Sequence, residues 1–196
     1  MKKLIKFFAA GLLLASLAAC GSDPADPSDP SDPTPVDPTP AVQPVTINKD
    51  SIQKVVEDGN AGAYATYAGA QTISGLTVTL TDVMPKVNWE LDTIQFKATS
   101  GKMVITGGSF TKVTVKTVSG FDYAGGVDIN GQKGDDAAIN AAKVDTGKST
   151  NSGAIYEFTV EVTLAAAASE ITISNTTLNS SNGKGAALYV SSVTLA

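Results

Sequence analysis

Three side chains in this sequence have the types and neighbours that sugar binding requires. Trp89 is the only tryptophan of the chain, and Asp92 follows it closely. Tyr123 lies in a second segment that glycines bound on both sides. A flat aromatic ring can cover the apolar face of a pyranose while a carboxylate beside it accepts hydrogen bonds from hydroxyl groups. The sequence therefore predicts a ligand site at Trp89, Asp92 and Tyr123; the alternative for Trp89 is a place in the core.

A second group of side chains offers oxygen atoms of the kind that bind calcium. Asp128, Asn130, Asp135 and Asp136 follow one another closely. Their spacing departs from that of an EF-hand loop, because the glycines stand at other positions and no acid occupies the twelfth position. Two interpretations remain, which are a structural calcium ion and a polar hairpin followed by a loop.

Most catalytic machinery is excluded by composition. The chain has no histidine and no arginine, and its one cysteine is Cys20. Ser-His-Asp and Cys-His catalysis and an arginine clamp for phosphate are therefore absent. Paired carboxylates can hydrolyse a glycoside, but Glu157 and Glu161 fall on the outward face of an expected strand. We expect a protein that is not an enzyme.

The charge balance excludes another class of partner. The formal net charge is −5 and the isoelectric point is about 4.6. Nucleic-acid binding normally needs a basic face, and the sequence contains no cluster of lysines. We therefore expect no nucleic-acid partner.

Residues 1–20 have the order of a secretory signal. Lysines come first, an apolar run follows from Phe7 to Ala19, and small residues precede Cys20. The apolar run is short for a transmembrane helix, which needs about 20 residues. The four residues Leu17-Ala18-Ala19-Cys20 resemble the lipobox of bacterial lipoproteins. That resemblance implies cleavage after residue 19, diacylglycerol and an acyl group such as palmitate on Cys20, and an extracytoplasmic protein anchored by lipid to the cell membrane or the outer membrane.

Residues 20–44 differ in composition from the rest of the chain. Repeated Asp-Pro pairs fill this segment, and all nine prolines except Pro85 lie in it. Proline disfavours helix and favours extended backbone, so we expect a disordered linker that carries a domain away from the membrane.

The elements that must position the candidate residues lie in residues 45–196. Apolar and polar residues alternate there with the period of a β-strand, most clearly from Tyr156 to Leu164. Asn130-Gly131 is a strong signal for a two-residue hairpin turn. Short helices are expected only at 51–58 and 136–143. We expect antiparallel strands, with Tyr156 and Tyr189 in the core.

Three stretches carry a family resemblance. They are 73–80 with 92–97, 101–106 leading into 110–115, and 170–175 followed by 187–195. Together they resemble small jelly-roll domains of secreted bacterial proteins, which are similar to carbohydrate-binding modules. The resemblance implies an all-β antiparallel jelly roll, or β-sandwich, that binds a glycan or another cell-surface ligand such as a protein.

Two alternatives remain open. One is a right-handed parallel β-helix, because residues 171–190 resemble one coil of that fold, although no second copy follows at a fixed offset. The other concerns function, and is a structural or antigenic surface lipoprotein without a small-molecule ligand.

Overall fold

The computed structural model describes residues 43–52, 67–177 and 184–196. The expected signal segment, Cys20, most of the linker and Tyr64 lie outside the described residues, as does the expected helix beyond Ile52. Among the described residues, no helix is both long enough and apolar enough to cross a membrane.

Nine strands and one short α-helix make up most of the described chain, together with a 3-10 turn at Lys49–Ser51. The elements in chain order are β1 Val45–Asn48, β2 Tyr67–Ile73, β3 Leu76–Asn88, β4 Leu91–Phe96, β5 Lys102–Ser119, β6 Val127–Ile129, α1 Asp136–Ala141, β7 Val144–Thr150, β8 Gly153–Asn175 and β9 Leu188–Leu195.

Four of the strands close into a small barrel. Strand β3 pairs with β4 and β5, and β9 pairs with both β4 and β5, which completes the ring. The other five strands, β1, β2, β6, β7 and β8, lie outside it. Every pairing between the described strands is antiparallel. The prediction of an all-β antiparallel domain is therefore confirmed, and the parallel β-helix alternative is wrong.

Two bends allow the barrel to close. Strand β3 pairs with β5 up to Thr81 and with β4 from Val83, and Asp82 between them has a φ of 50°. Strand β5 leaves β3 after Thr106, at Gly107, whose φ is 92°. Irregularities of this kind bend a strand and increase its twist, which a closed sheet needs.

The core lies where the alternating residues predicted it. Tyr156 and Leu164 at the ends of the clearest alternation are partly buried and pack against the core. The most completely buried apolar side chains include Val78, Leu80, Ile94, Phe96, Ile105, Val113, Val115, Phe158, Val160, Ile171, Ile173, Val190 and Val193.

One buried amide holds the start of β9 against the end of β4. Asn175 is 3% exposed, and its Nδ2 atom donates to the carbonyls of Phe96, Lys97 and Ala186. Its Oδ1 atom accepts a hydrogen bond from the backbone N–H of Thr177. Because these bonds fix the chain just before β9, they help to set the position of the β9 side chains relative to β4.

Candidate functional site

Trp89 and Glu90 form the two-residue turn between β3 and β4. Asn88 and Leu91 pair on either side of it, and φ is 53° at Trp89 and 61° at Glu90. Such turns normally use Asn-Gly or Asp-Gly, because the left-handed conformation costs about 1–2 kcal/mol for other residues. Neither a tryptophan nor a glutamate favours this turn locally, so contacts elsewhere in the fold must hold it.

Each turn residue is held by a different strand. The half-buried Trp89 ring lies edge-to-face against the ring of Tyr189 on β9, with centroids 5.2 Å apart and planes at 62°. The Glu90 carboxylate accepts a hydrogen bond from Lys148 Nζ on β7 at 2.6 Å. That hydrogen bond, together with the lysine charge, holds the pKa of Glu90 below its usual value.

The Trp89 ring reaches the face of β4 that is turned away from the core. Directly paired residues of antiparallel strands share a face, and Gln95 on β4 pairs with Tyr189 on β9. Lys86 on β3 pairs with Thr93 and lies on this same face, with its Nζ atom 5.7 Å from the centre of the Tyr189 ring.

We call this surface the aromatic face. Its members are Lys86, Asn88, Trp89, Gln95 and Tyr189.

Two amide atoms on the aromatic face lack hydrogen-bond partners. They are Asn88 Nδ2 and Gln95 Oε1, and among the described residues no other buried side-chain nitrogen or oxygen is unpaired. Gln95 is only 6% exposed. Leaving a buried polar atom unpaired costs about 1–3 kcal/mol, and most native proteins avoid it.

Asp92 does not join the aromatic face. Neighbouring residues of a strand point to opposite faces, and Asp92 lies one position from Thr93, which shares the face of Lys86. The Asp92 carboxylate instead lies 2.9 Å from Lys49 Nζ, and this hydrogen bond raises the pKa of Lys49. The structure therefore separates Asp92 from Trp89, although the two are close in sequence.

The Tyr123 side chain is part of the hydrophobic core. It is 7% exposed, packs on Phe158 with ring centroids 6.1 Å apart, and its hydroxyl accepts a hydrogen bond from the N–H of Val127. Burial raises the pKa of Tyr123 to about 12. Asn140 on α1 bonds both the N–H and the carbonyl of Tyr123. With its ring and hydroxyl both engaged, Tyr123 is not part of the aromatic face.

Three of the four residues predicted as calcium ligands have a hydrogen-bonding role in the fold, and the fourth, Asp136, lies at the start of α1. Asp128 accepts from the N–H of Gly131, and Asp135 caps α1 through the N–H groups of residues 137 and 138. Asn130 bonds to the backbone of β8. Asp136 begins α1, where a negative charge favours the helix. Among the described residues no group of three or more His, Cys, Asp or Glu side chains is arranged to hold a metal ion.

Tyr189 belongs to the aromatic face, although the sequence predicted it in the core. Its predicted place in the core is wrong, because Leu188 and Val190 on either side of it are the buried residues. That alternation was visible in the sequence and indicates an outward Tyr189. By the same pattern Gln95 lies between the buried Ile94 and Phe96. The contact of Tyr189 with Trp89 had no signal in the sequence.

Comparison with known proteins gives no assignment. No protein-family model matches the chain, and neither a curated protein nor a solved structure is significantly similar to it. The function must therefore be argued from the geometry of the site.

Proposed function

We propose that this protein is a lipid-anchored extracytoplasmic module that binds glycans at its aromatic face without catalysing a reaction. The observation that carries the proposal is the Trp89–Tyr189 ring pair, which a strained turn holds on the same face as two unpaired amide atoms. Backbone strain of this kind is found preferentially at functional sites. The order of residues 1–20 supports the anchor at Cys20.

The chemistry of the aromatic face suits a saccharide. The two rings offer apolar area to the faces of sugar rings. Sugar hydroxyls both donate and accept, so they suit a face that carries the amide side chains of Asn88 and Gln95 beside the rings. A site of apolar surface with a few placed polar groups is typical of ligand recognition.

We also propose that the domain is related to the jelly-roll modules that its sequence resembles. The antiparallel pairing of all described strands supports this kinship. Fold alone does not determine function, so the proposed activity depends on the aromatic face and not on the kinship.

A glycan array with the full chain in nonionic detergent tests the proposal, followed by titration of selected glycans. Trp89→Ala should weaken binding at least about tenfold, which corresponds to about 1.4 kcal/mol. Phe121→Ala is the matched control, because Phe121 is an aromatic side chain that is 76% exposed in a different loop. It should leave the affinity unchanged, and circular dichroism should show both variants folded.

Two results would contradict the proposal. If the folded wild-type chain binds no glycan, the structural or antigenic surface lipoprotein becomes the better interpretation. If Phe121→Ala weakens binding as much as Trp89→Ala, the site is not at the aromatic face. Metabolic labelling with palmitate, with Cys20→Ser as the unlabelled control, tests the lipid anchor.

A further inference from the structure

Lys86 on the aromatic face has no acidic partner. Among the described residues it contacts the ring of Tyr189, and no carboxylate lies within 4 Å of its Nζ atom. Six other lysines form ion pairs with carboxylates. These are Lys49, Lys97, Lys112, Lys116, Lys143 and Lys148. The lack of a counterion at Lys86 is notable because the chain as a whole carries a net charge of −5.

Lys86 differs from the other unpaired lysines in its surroundings. Lys86 is half-buried, whereas Lys102 and Lys133, which also lack a carboxylate partner, are exposed. Its ammonium group lies over the ring of Tyr189, which attracts a cation. A ligand anion that reached Lys86 would form a charge-assisted hydrogen bond, which is about twice as strong as a neutral one.

The acidic side chains nearest in sequence and register are already engaged. Glu90 binds Lys148, and Asp92 binds Lys49 from the opposite face of β4. Glu157 binds Lys116 and the hydroxyl of Ser191 on β9. These carboxylates are held by other donors, so no described carboxylate pairs with Lys86.

We infer that the glycan bound at the aromatic face is acidic and contains uronic acid, with its carboxylate paired to Lys86. This inference rests on the proposed function. The rings of Trp89 and Tyr189 pack against the sugars, and Lys86 selects the charged sugar. A carboxylate suits this place because a lysine ammonium offers several donors to one anionic group.

Oligogalacturonides and their fully methyl-esterified counterparts provide the test, since the two share a backbone and differ in charge. Both are titrated into the full chain in nonionic detergent, with the fluorescence of Trp89, the only tryptophan, as the signal. The acidic form should bind at least about tenfold more tightly than the ester. Its affinity should fall with added salt, because screening weakens an exposed ion pair.

Two variants locate the effect. Lys86→Gln should remove the preference for the acidic form while retaining binding of the ester. Lys102→Gln is the matched control, because Lys102 is an exposed strand lysine that also lacks a carboxylate partner, and it should keep the preference.

The possible failures are distinguishable. Equal binding of acid and ester that Trp89→Ala abolishes, measured by isothermal titration calorimetry because this variant lacks the fluorophore, would overturn the inference and leave the proposed function standing. A preference for the acid that persists in Lys86→Gln would also overturn it. If neither these oligosaccharides nor any glycan on the array binds, both the proposed function and this inference are wrong.

Discussion

Two hairpin turns of this protein share a backbone conformation and differ in what holds it. Asn130-Gly131 and Trp89-Glu90 both have positive φ at their two central residues, 51° and 79° in the first and 53° and 61° in the second. The first turn uses residues that favour this conformation. The second turn uses residues that disfavour it.

Both turns have partners far away in sequence, and the first turn also has a local bond between Asp128 and Gly131. The Asn130 side chain accepts from the N–H of Thr172 at 2.7 Å and donates to the carbonyl of Glu170, and Asp128 accepts from the N–H of Gly131. The second turn depends on Tyr189 and Lys148, which lie far away in sequence. A turn whose residues contradict local preference indicates that they were retained for another reason, and ligand binding is the reason we propose.

Exchanging the residues of the two turns should have the largest effect. Replacing Asn130 by Trp together with Gly131 by Glu should lower the free energy of unfolding by about 3 kcal/mol. The two Asn130 hydrogen bonds contribute about 1 kcal/mol each, and a side chain at the glycine position costs about 1 kcal/mol more. Urea denaturation measures the change.

The reverse exchange is the matched control. Trp89→Asn with Glu90→Gly should not lower the free energy of unfolding. Relief of the turn strain, about 1–2 kcal/mol at each residue, equals or exceeds the lost ring contact, which is worth about 0.5–1.5 kcal/mol. Equal losses in the two exchanges would show that the two turns are held in the same way.

Tyr123→Phe should have an intermediate effect, since it leaves the N–H of Val127 without its partner. A loss of about 1 kcal/mol is expected at neutral pH. Wild-type Tyr123 has a folded pKa of about 12 against an ordinary value of 10.0. Its contribution to stability is therefore full below pH 10 and lost as the pH rises from 10 towards 12.

Urea midpoints at a pH below 10 and at one between 10 and 12 measure this alkaline loss. The wild type should lose more stability between the two pH values than Tyr123→Phe does. An identical loss in both proteins would contradict the buried, protonated Tyr123.

Glu90→Gln should have the smallest effect, because exposed ion pairs contribute little to stability. Glu90 has a lowered pKa, so the stability it contributes is present above the ordinary value of 4.5 and is lost as the pH falls through the lowered value. Because Trp89 is adjacent, its fluorescence should change in that acid range in the wild type and not in Glu90→Gln. Glu161→Gln is the control: it removes the partner of Lys112 and should show the same fluorescence change as the wild type. If Glu161→Gln also lost the fluorescence change, titration of Glu90 would not be its cause.

Local features of this protein followed from its sequence. Alternation predicted the buried face of β8, Asn130-Gly131 predicted its turn, and the helix expected at 136–143 is found at Asp136–Ala141. Each depends on residues within a few positions of one another, so propensity and period are enough to determine it.

The candidate site depended on the tertiary structure. Pairing of Gln95 with Tyr189 joins residues on distant strands, and it brings Trp89 to a ring that sequence reasoning placed in the core. The same long-range packing buries Tyr123. Period and propensity specify which face of a strand is apolar, but closure of the barrel selects which strands become neighbours, and therefore which side chains can act together.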